Sequence, residues 1–153
     1  EFRRVLFRSD VNLVGSARLA GGAVPELKKR GGGSIVFISS LAGVEALPAP
    51  IPYGAAKAGV VALGKLLARQ LAPDGIRVNV VAPGNILFPG GVWERKSSED
   101  PAGVVAYLAA EVPMARLGKP EEVADTVAFL ASVRASFITG ACLLVDGGQA
   151  RGW

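Results

Sequence analysis

Histidine is absent from this chain of 153 residues, and cysteine and methionine occur once each. Without histidine the chain holds no Ser-His-Asp or Cys-His catalytic triad and no metal site with a histidine ligand. The single cysteine, Cys142, has no second cysteine in the chain with which to form a disulfide bond. Any catalysis by these residues must therefore use hydroxyl, phenol, amine, guanidinium or carboxyl groups.

Long apolar runs are missing as well. Besides the glycine- and serine-rich stretch from Gly31 to Val44, the longest uncharged stretch runs from Val78 to Trp93 and contains three glycines and two prolines. It is shorter than the ~20 mostly apolar residues that a membrane-spanning helix needs. The sequence therefore predicts no transmembrane segment and no membrane partner. Without a targeting signal or a disulfide framework, it also favours a cytoplasmic location.

Positive charge is only slightly in excess, at a net +4, and it is not concentrated in one patch. Half of this excess comes from residues 1–9, where three arginines outweigh one glutamate. Beyond them the basic cluster is residues 28–30, at the end of a predicted helix, where cations offset the helix dipole. We therefore expect no nucleic-acid binding.

Residues 1–9 also differ in composition from the rest, and their VLFRS segment resembles a translated adapter remnant. We expect these nine residues to be a non-native scar. Residues 10–150 are expected to belong to one domain, because neither a linker nor a repeat divides them.

Hydrophobic patterning predicts an alternation of helices and strands. The predicted helices cover 10–30, 53–71, 104–110 and 120–130, the predicted strands 34–39, 76–81 and 141–145, and the segment 85–101 is predicted to be irregular. Apolar strands that alternate with helices indicate an α/β fold in which a parallel sheet is covered by helices. About three strands are predicted, whereas a doubly wound sheet usually has six or more.

Tyr53 and Lys57 are four positions apart on a predicted helix, which places both side chains on one face. A free phenol has a pKa of about 10, and a neighbouring ammonium group lowers it by favouring the phenolate. Such a pair can exchange a proton with a carbonyl or alcohol oxygen. Taken alone, the same spacing more often marks a tyrosine that packs on a lysine stem at a helix surface.

Ser39 and Ser40 follow the first predicted strand. Open α/β sheets bind ligands at the carboxyl ends of their strands. Because a short loop joins Ser40 to Tyr53, both can reach one cleft, where the serine would donate a hydrogen bond to a carbonyl group. The second strand ends near Gly84 at the same edge. Considered in isolation, Ser40 is equally typical of a serine that caps a turn.

Five segments, in order and with the expected spacing, resemble successive motifs of the short-chain dehydrogenase/reductase family. They are DVNLVGS, GSIVFISSLAG, YGAAKAGVVALGKLLARQLAPDGIRVNVVAPG, RLGKPEEVADTVAFLAS and ITGACLLVDGG, and they cover nearly all of residues 10–148. The resemblance implies a partial Rossmann-like, doubly wound parallel sheet. It also implies hydride transfer between NAD or NADP and a small-molecule carbonyl or alcohol substrate, in a homodimer or homotetramer.

The resemblance also implies roles for four residues. Tyr53 matches the general acid/base, and Lys57 matches the lysine that binds the nicotinamide ribose and assists the tyrosine. Ser40 matches the serine that positions and polarises the substrate oxygen. Asn12 matches the asparagine whose backbone holds a water molecule in the proton relay. Without the other motifs, Asn12 would be taken for a solvent-facing helix residue.

The loop after the second strand is implied to bind the nicotinamide through Pro83, Gly84 and the backbone of Ile86. Many relatives have a threonine four positions after this glycine, whereas the chain has Phe88, whose ring cannot bond the carboxamide. Phe88 and Trp93 indicate either an apolar lid over the substrate or a surface loop with two anchoring aromatic rings. No metal is implied.

The family's Gly-rich turn, which contacts the pyrophosphate, has no counterpart before Asn12. The glycines at 31–33 follow a helix and precede a strand, which is the reverse of the required order. At ~30 residues for each βαβ unit, the resemblance leads us to expect that roughly 100 residues are missing. We therefore expect the chain to be a C-terminal part that is inactive alone. A truncated, non-catalytic or oligomerising protein is the alternative, and a sugar epimerase or dehydratase with the same residue pair is less favoured.

Overall fold

The computed structural model describes residues 9–152, so the prediction for residues 1–9 lies outside the described range, apart from Ser9. The helices are α1 (Gly15–Lys29), α2 (Ile51–Leu71), α3 (Val92–Glu99), α4 (Pro101–Glu111) and α5 (Pro120–Ala131), and the strands are β1 (Gly33–Ile38), β2 (Ile76–Pro83) and β3 (Cys142–Val145). A π-helical turn, Asp10–Val14, leads into α1.

The three strands form one parallel sheet in the order β1-β2-β3. Gly33 is in register with Ile76, and Val80 with Cys142. The predicted parallel α/β sheet of about three strands is therefore confirmed. Among the described residues β1 pairs with β2 alone, so its other edge is open to a further strand.

β2 lies at the centre of the sheet and its residues are almost completely buried. Because side chains alternate along a strand, Val78 and Val80 pack in a cluster with residues of α1 and α2, while Val81 packs with Leu130 of α5. The helices thus cover both faces of the sheet, as in a doubly wound fold.

The helix α2 approaches β2 closely at Gly64, which is buried. A Cβ atom at this position would overlap Cγ2 of Val80 on the strand below. Because only glycine lacks that atom, α2 can pack this closely on the sheet.

The prediction that residues 85–101 are irregular was wrong, because α3 occupies Val92–Glu99. This helix carries polar side chains on most of its surface and lacks an apolar stripe. It is anchored instead by Trp93, whose ring stacks on Tyr107 of α4 with the centroids 5.2 Å apart. The side chain of Asp100 caps α4 by accepting a hydrogen bond from the amide of Gly103 at 2.9 Å.

The other elements differ from prediction mainly at their ends. α2 begins at Ile51, two residues before the predicted start, with Pro52 in its first turn. α4 is longer than predicted at its N-terminus because Pro101 fits the first turn of a helix. Within residues 9–152 no helix combines the length and apolarity required to span a bilayer.

The N-terminus of α5 is fixed by Glu122. Its carboxylate accepts two hydrogen bonds from the guanidinium of Arg116, at 2.6 and 2.9 Å, and one from the amide of Lys119 at 2.8 Å. The hydrogen bonds from Arg116, followed by the bond from Lys119, lower the pKa of Glu122 from its ordinary 4.5 to about 2. The carboxylate is therefore stabilised in its charged form.

We expect Glu122→Gln to destabilise the full-length protein at neutral pH. Because the folded-state pKa is lowered, the contribution of Glu122 is complete above about pH 4.5 and is lost as the pH falls toward 2. Urea unfolding of both proteins at pH 7 and near pH 3 measures this, and the difference should shrink at the lower pH. Glu121→Gln, in the same turn, is the matched control. An equal difference at both pH values would contradict the prediction.

Candidate active site

A cleft of about 570 Å³ lies at the carboxyl ends of β1 and β2. Ser40, which follows β1, and Gly84, which follows β2, border it together with Tyr53 from the first turn of α2. The structure therefore brings Ser40 and Tyr53 to one cleft, as the sequence predicted. No cluster of three or more potential metal ligands occurs in the described part of the chain.

Lys57 lies one turn of α2 after Tyr53, and its Nζ is 5.8 Å from the centre of the tyrosine ring. The ammonium group donates a hydrogen bond to the carbonyl of Ile38, the last residue of β1, at 3.0 Å. The neighbouring Ser39 is buried, and its hydroxyl donates to the main-chain carbonyl of Lys57 at 2.8 Å. Side chain and backbone of Lys57 are thus both joined to the end of β1.

Partial burial lowers the pKa of Lys57 from its ordinary value of 10.5, because desolvation disfavours the charged ammonium group. No carboxylate forms an ion pair with Lys57 among the described residues. A lysine in this state releases a proton more readily than one in water. Its position beside the phenol suits it to supply charge or a proton to Tyr53.

Ser40 takes part in the local turn as well as in the cleft. Its Oγ accepts a hydrogen bond from the amide of Ala42 at 3.3 Å, which caps the short turn Leu41–Gly43. Ser40 therefore both caps a turn and borders the cleft. Because the oxygen is the acceptor in the cap, the hydroxyl hydrogen can still be donated to a bound molecule.

The turn after Ser40 packs directly on α2. A Cβ atom at Gly43 would lie 2.6 Å from the carbonyl carbon of Lys57 and 2.8 Å from the nitrogen of Ala58. The glycine thus permits the turn and the helix to approach each other at the position of Lys57. This contact fixes the separation between Ser40 and the Tyr53-Lys57 pair.

Asn12 lies in the π-helical turn before α1, and its carbonyl accepts a hydrogen bond from Oγ of Ser16 at 2.7 Å. This turn packs against α2, where the side chain of Leu13 covers Gly59. Short π-helical turns are frequent at functional sites because they redirect backbone groups. The structure thus places Asn12 beside the helix that carries Tyr53 and Lys57.

The nicotinamide loop predicted at Pro83, Gly84 and Ile86 begins where β2 ends. The Gly84 amide donates to the carbonyl of Val145 at 3.0 Å, and a Cβ atom at Gly84 would lie 2.9 Å from Asp146. Glycine therefore permits the chain after β2 to lie this close to the chain after β3.

Ile86 lines an adjoining cavity of about 310 Å³ and is not part of the main cleft. It forms a parallel bridge with Gly118, in which the hydrogen bonds are made by Asn85 and Leu87 at 2.9 Å each. The amide and carbonyl of Ile86 itself therefore point away from Gly118. They are oriented to meet a group bound beside the sheet.

Of the two aromatic residues predicted to form a lid or an anchored loop, Trp93 is held by its stacking on Tyr107. Phe88 is about half exposed. Trp93 borders the main cleft, and Phe88 is not among the residues that line it. The anchoring interpretation thus fits Trp93 and does not fit Phe88.

The sequence did not single out the hydrogen-bonded triangle of Asn85, Tyr107 and Gln149. Nε2 of Gln149 donates to the phenol oxygen of Tyr107 at 2.8 Å, and Nδ2 of Asn85 donates to the same oxygen at 3.3 Å. Nδ2 of Asn85 also donates to Oε1 of Gln149 at 2.9 Å. Asn85 and Tyr107 border the main cleft. The closest sequence signal was a polar residue directly after the VDGG motif.

Comparisons with known proteins agree with this geometry. A family profile described as enoyl-(acyl carrier protein) reductase matches residues 2–150. Dehydrogenase/reductase SDR family member 4 of Mus musculus is 41% identical over 140 residues, which cover 90% of this chain and 48% of that protein. An uncharacterized oxidoreductase of Thermotoga maritima is 39% identical over 139 residues, covering 91% and 55%. The chain thus spans about half the length of the curated relatives it matches.

Two solved structures are also similar. The L-sorbose reductase of Gluconobacter frateurii, complexed with NADPH and L-sorbose, superposes with a TM-score of 0.91 at 31% identity, covering 100% of this chain and 60% of that one. A 3-oxoacyl-[acyl-carrier protein] reductase of Brucella melitensis with bound NAD has a TM-score of 0.85 at 35% identity, covering 99% and 54%.

Proposed function

Because the chain belongs to the short-chain dehydrogenase/reductase family, we propose that residues 10–150 form the C-terminal, catalytic part of an NAD- or NADP-dependent oxidoreductase. The reaction is hydride transfer between the nicotinamide and a carbonyl or alcohol substrate. The observation that carries the proposal is the meeting of Ser40 and Tyr53 at one cleft, with Lys57 5.8 Å from the tyrosine ring.

In the reductive direction, the substrate carbonyl oxygen accepts hydrogen bonds from the hydroxyl of Ser40 and the phenol of Tyr53. As negative charge develops on this oxygen, Tyr53 transfers its proton to it, and the serine bond strengthens. Lys57, whose pKa burial lowers, stabilises the phenolate that is left. In the oxidative direction the phenolate removes the proton from the alcohol. When bound, the nicotinamide supplies or accepts the hydride.

The residues at the sheet edge fit the nicotinamide end of such a cofactor. Gly84 has no side chain to block approach to the end of β2, and the backbone of Ile86 points away from its bridge partner. Lys57 and Tyr53 would meet the ribose, and Pro83 would pack beside the ring. Solved relatives hold NADPH in one case and NAD in another, so either cofactor agrees with the proposal.

The remainder of the cofactor site is assigned to residues beyond this chain. The open edge of β1 supports this, because a doubly wound sheet continues on that side with the strands that hold the pyrophosphate. The alternative of a structural, oligomerising protein has less support, because it gives no reason for Ser40, Tyr53 and Lys57 to converge. The homodimer or homotetramer and the cytoplasmic location stay predictions.

The proposal is tested by comparing the full-length protein with the 153-residue chain. We expect the full-length protein to oxidise NADH or NADPH in the presence of carbonyl compounds, followed by the nicotinamide absorbance. We expect the chain alone to show no micromolar affinity for either dinucleotide in isothermal titration. A full-length protein without turnover across aldehydes, ketones, keto acids and sugars would contradict the proposed activity. Micromolar binding by the chain alone would contradict the assignment of the cofactor site.

A further inference from the structure

The wall of the cleft on the side of α3 and α4 is rich in hydrogen-bond donors and positive charge. Arg95 and Lys96 of α3 border the same cleft as Ser40 and Tyr53. Among the described residues that line this cleft, none is an aspartate or a glutamate. A carbonyl compound bound there therefore faces two cations and no carboxylate of the cleft lining.

Neither cation is neutralised by a strong ion pair. Lys96 forms no salt bridge with a described residue, and its Nζ lies over the ring of Trp93, 4.6 Å from the ring centre. Within residues 9–152 Arg95 pairs with Glu99 alone, at 3.8 Å, and both side chains are about two-thirds exposed. An exposed pair at that distance contributes little. Both cations are therefore available to a bound anion.

Tyr107 supplies a fixed donor beside them. Its phenol oxygen accepts hydrogen bonds from Gln149 at 2.8 Å and from Asn85 at 3.3 Å. Since both bonds use the oxygen as acceptor, the hydroxyl hydrogen remains to be donated. Burial of Gln149 and stacking of Tyr107 on Trp93 hold the phenol in place. A donor held in advance binds an acceptor with little loss of side-chain entropy.

We propose that the cleft selects carbonyl substrates that carry an anionic group, a carboxylate or a phosphate. Lys96 and Tyr107 bind the anionic oxygens, while the reacting carbonyl lies between Ser40 and Tyr53. This inference rests on the proposed function and names the substrate class of the same site. Tyr107 and Lys96 are then specificity-determining residues that act through direct contact with the substrate.

The test uses the full-length protein, saturating cofactor and matched substrate pairs. One pair is a keto acid and its methyl ester, and the other is a keto phosphate and its dephosphorylated counterpart. We expect kcat/KM to be about tenfold or more higher for the anionic member of at least one pair, mainly through KM, because charge-assisted hydrogen bonds are about twice as strong as neutral ones. The pair with the larger ratio identifies the carboxylate or the phosphate.

Variants identify the residues that determine the preference for the anionic substrate. Lys96→Gln and Tyr107→Phe should each lower the ratio between the anionic and the neutral substrate, by a rise in KM for the anionic member. Added salt should reduce the ratio in the wild type more than in Lys96→Gln, since screening acts on the lysine charge. Arg69→Gln is the matched control and should leave the ratio unchanged, because Arg69 is exposed and lies near the opposite end of α2 from Tyr53.

The failures of the two proposals are distinguishable. If neutral and anionic members are turned over equally well, or if the ratio survives both substitutions, the substrate class is wrong while the proposed function stands. If no member of either pair is turned over while other carbonyl compounds are, the substrate class is again wrong and the proposed function stands. If no carbonyl compound is turned over, or if the Tyr53→Phe protein turns over its substrates normally, the proposed function is wrong and this inference with it.

Discussion

Tyr53→Phe is expected to lower the turnover of the full-length protein by about 10²–10⁴-fold, the usual contribution of a positioned general acid or base. The substitution removes the phenol hydroxyl and retains the ring that borders the cleft beside Ser40. Hydride transfer would then leave an alkoxide without a proton donor. The loss should appear in kcat for every substrate, as measured by steady-state kinetics with either nicotinamide cofactor.

Two controls accompany this prediction: the thermal stability of the Tyr53→Phe protein and a substitution of the other tyrosine, Tyr107. The thermal unfolding midpoint of Tyr53→Phe should stay close to that of the wild type, because the ring keeps its place at the start of α2. Tyr107→Phe should instead raise KM selectively for anionic substrates. A Tyr53→Phe protein with near-normal kcat would show that the phenol is not the acid/base of this site.

The largest expected loss of stability follows from Asn79→Ala. Asn79 is fully buried in β2, where its Nδ2 donates to the carbonyl of Ile138 at 2.8 Å and its Oδ1 accepts from the amide of Ala141 at 3.0 Å. The substitution leaves the Ala141 amide without this partner and the Ile138 carbonyl with only the bond that Nη1 of Arg77 donates at 3.5 Å. A group left unsatisfied costs about 1–3 kcal/mol in the free energy of unfolding, which is measurable by urea unfolding of the full-length protein.

Asn79→Leu separates the lost hydrogen bonds from the cavity. Leucine has the same branching and number of side-chain heavy atoms as asparagine, is larger in volume and supplies neither donor nor acceptor, so it fills the space that alanine leaves empty. We expect this variant to remain clearly destabilised. Wild-type stability of Asn79→Leu would show that the bonds to Ile138 and Ala141 contribute nothing, and that packing alone explains the alanine variant.

Much of the fold could be predicted because its signals are local. The strands are short apolar runs bounded by glycine and proline, and each was placed within two residues of its observed ends. The missed helix α3 has no such signal, because its sequence is polar and its anchoring ring, Trp93, finds Tyr107 only in the folded chain. Tertiary contact, rather than propensity, decides that segment.

The candidate site, like the fold, could be predicted only where its signals are local. Ser40 and Tyr53 were predicted to share a cleft because the carboxyl ends of parallel strands meet at one edge, and the structure places them so. The hydrogen bonds that hold Lys57 to the end of β1 depend on side-chain orientation. The four-residue spacing of Tyr53 and Lys57 does not specify that orientation. The bond between Tyr107 and Gln149 joins residues 42 positions apart, beyond the reach of any local pattern.

The membership in the family, first inferred from five ordered motifs, is confirmed by the match over residues 2–150. The roles of Asn12, Ser40, Tyr53 and Lys57 stay predictions until variants are measured. The structure adds physical reasons for them, above all the burial that lowers the pKa of Lys57.

The close approach at Gly64 bears on how such a protein can be re-engineered. Gly64 and Tyr53 are on the same helix, roughly 16 Å apart at 1.5 Å per residue, and a side chain at 64 would overlap Val80. A random library should therefore find position 64 of α2 intolerant of substitution, although it lies far from the candidate site. The wall formed by α3 and α4 carries no such constraint at Arg95 and Lys96, which are exposed. New substrate preferences are best sought there, where substitution leaves the proton-transfer pair in place.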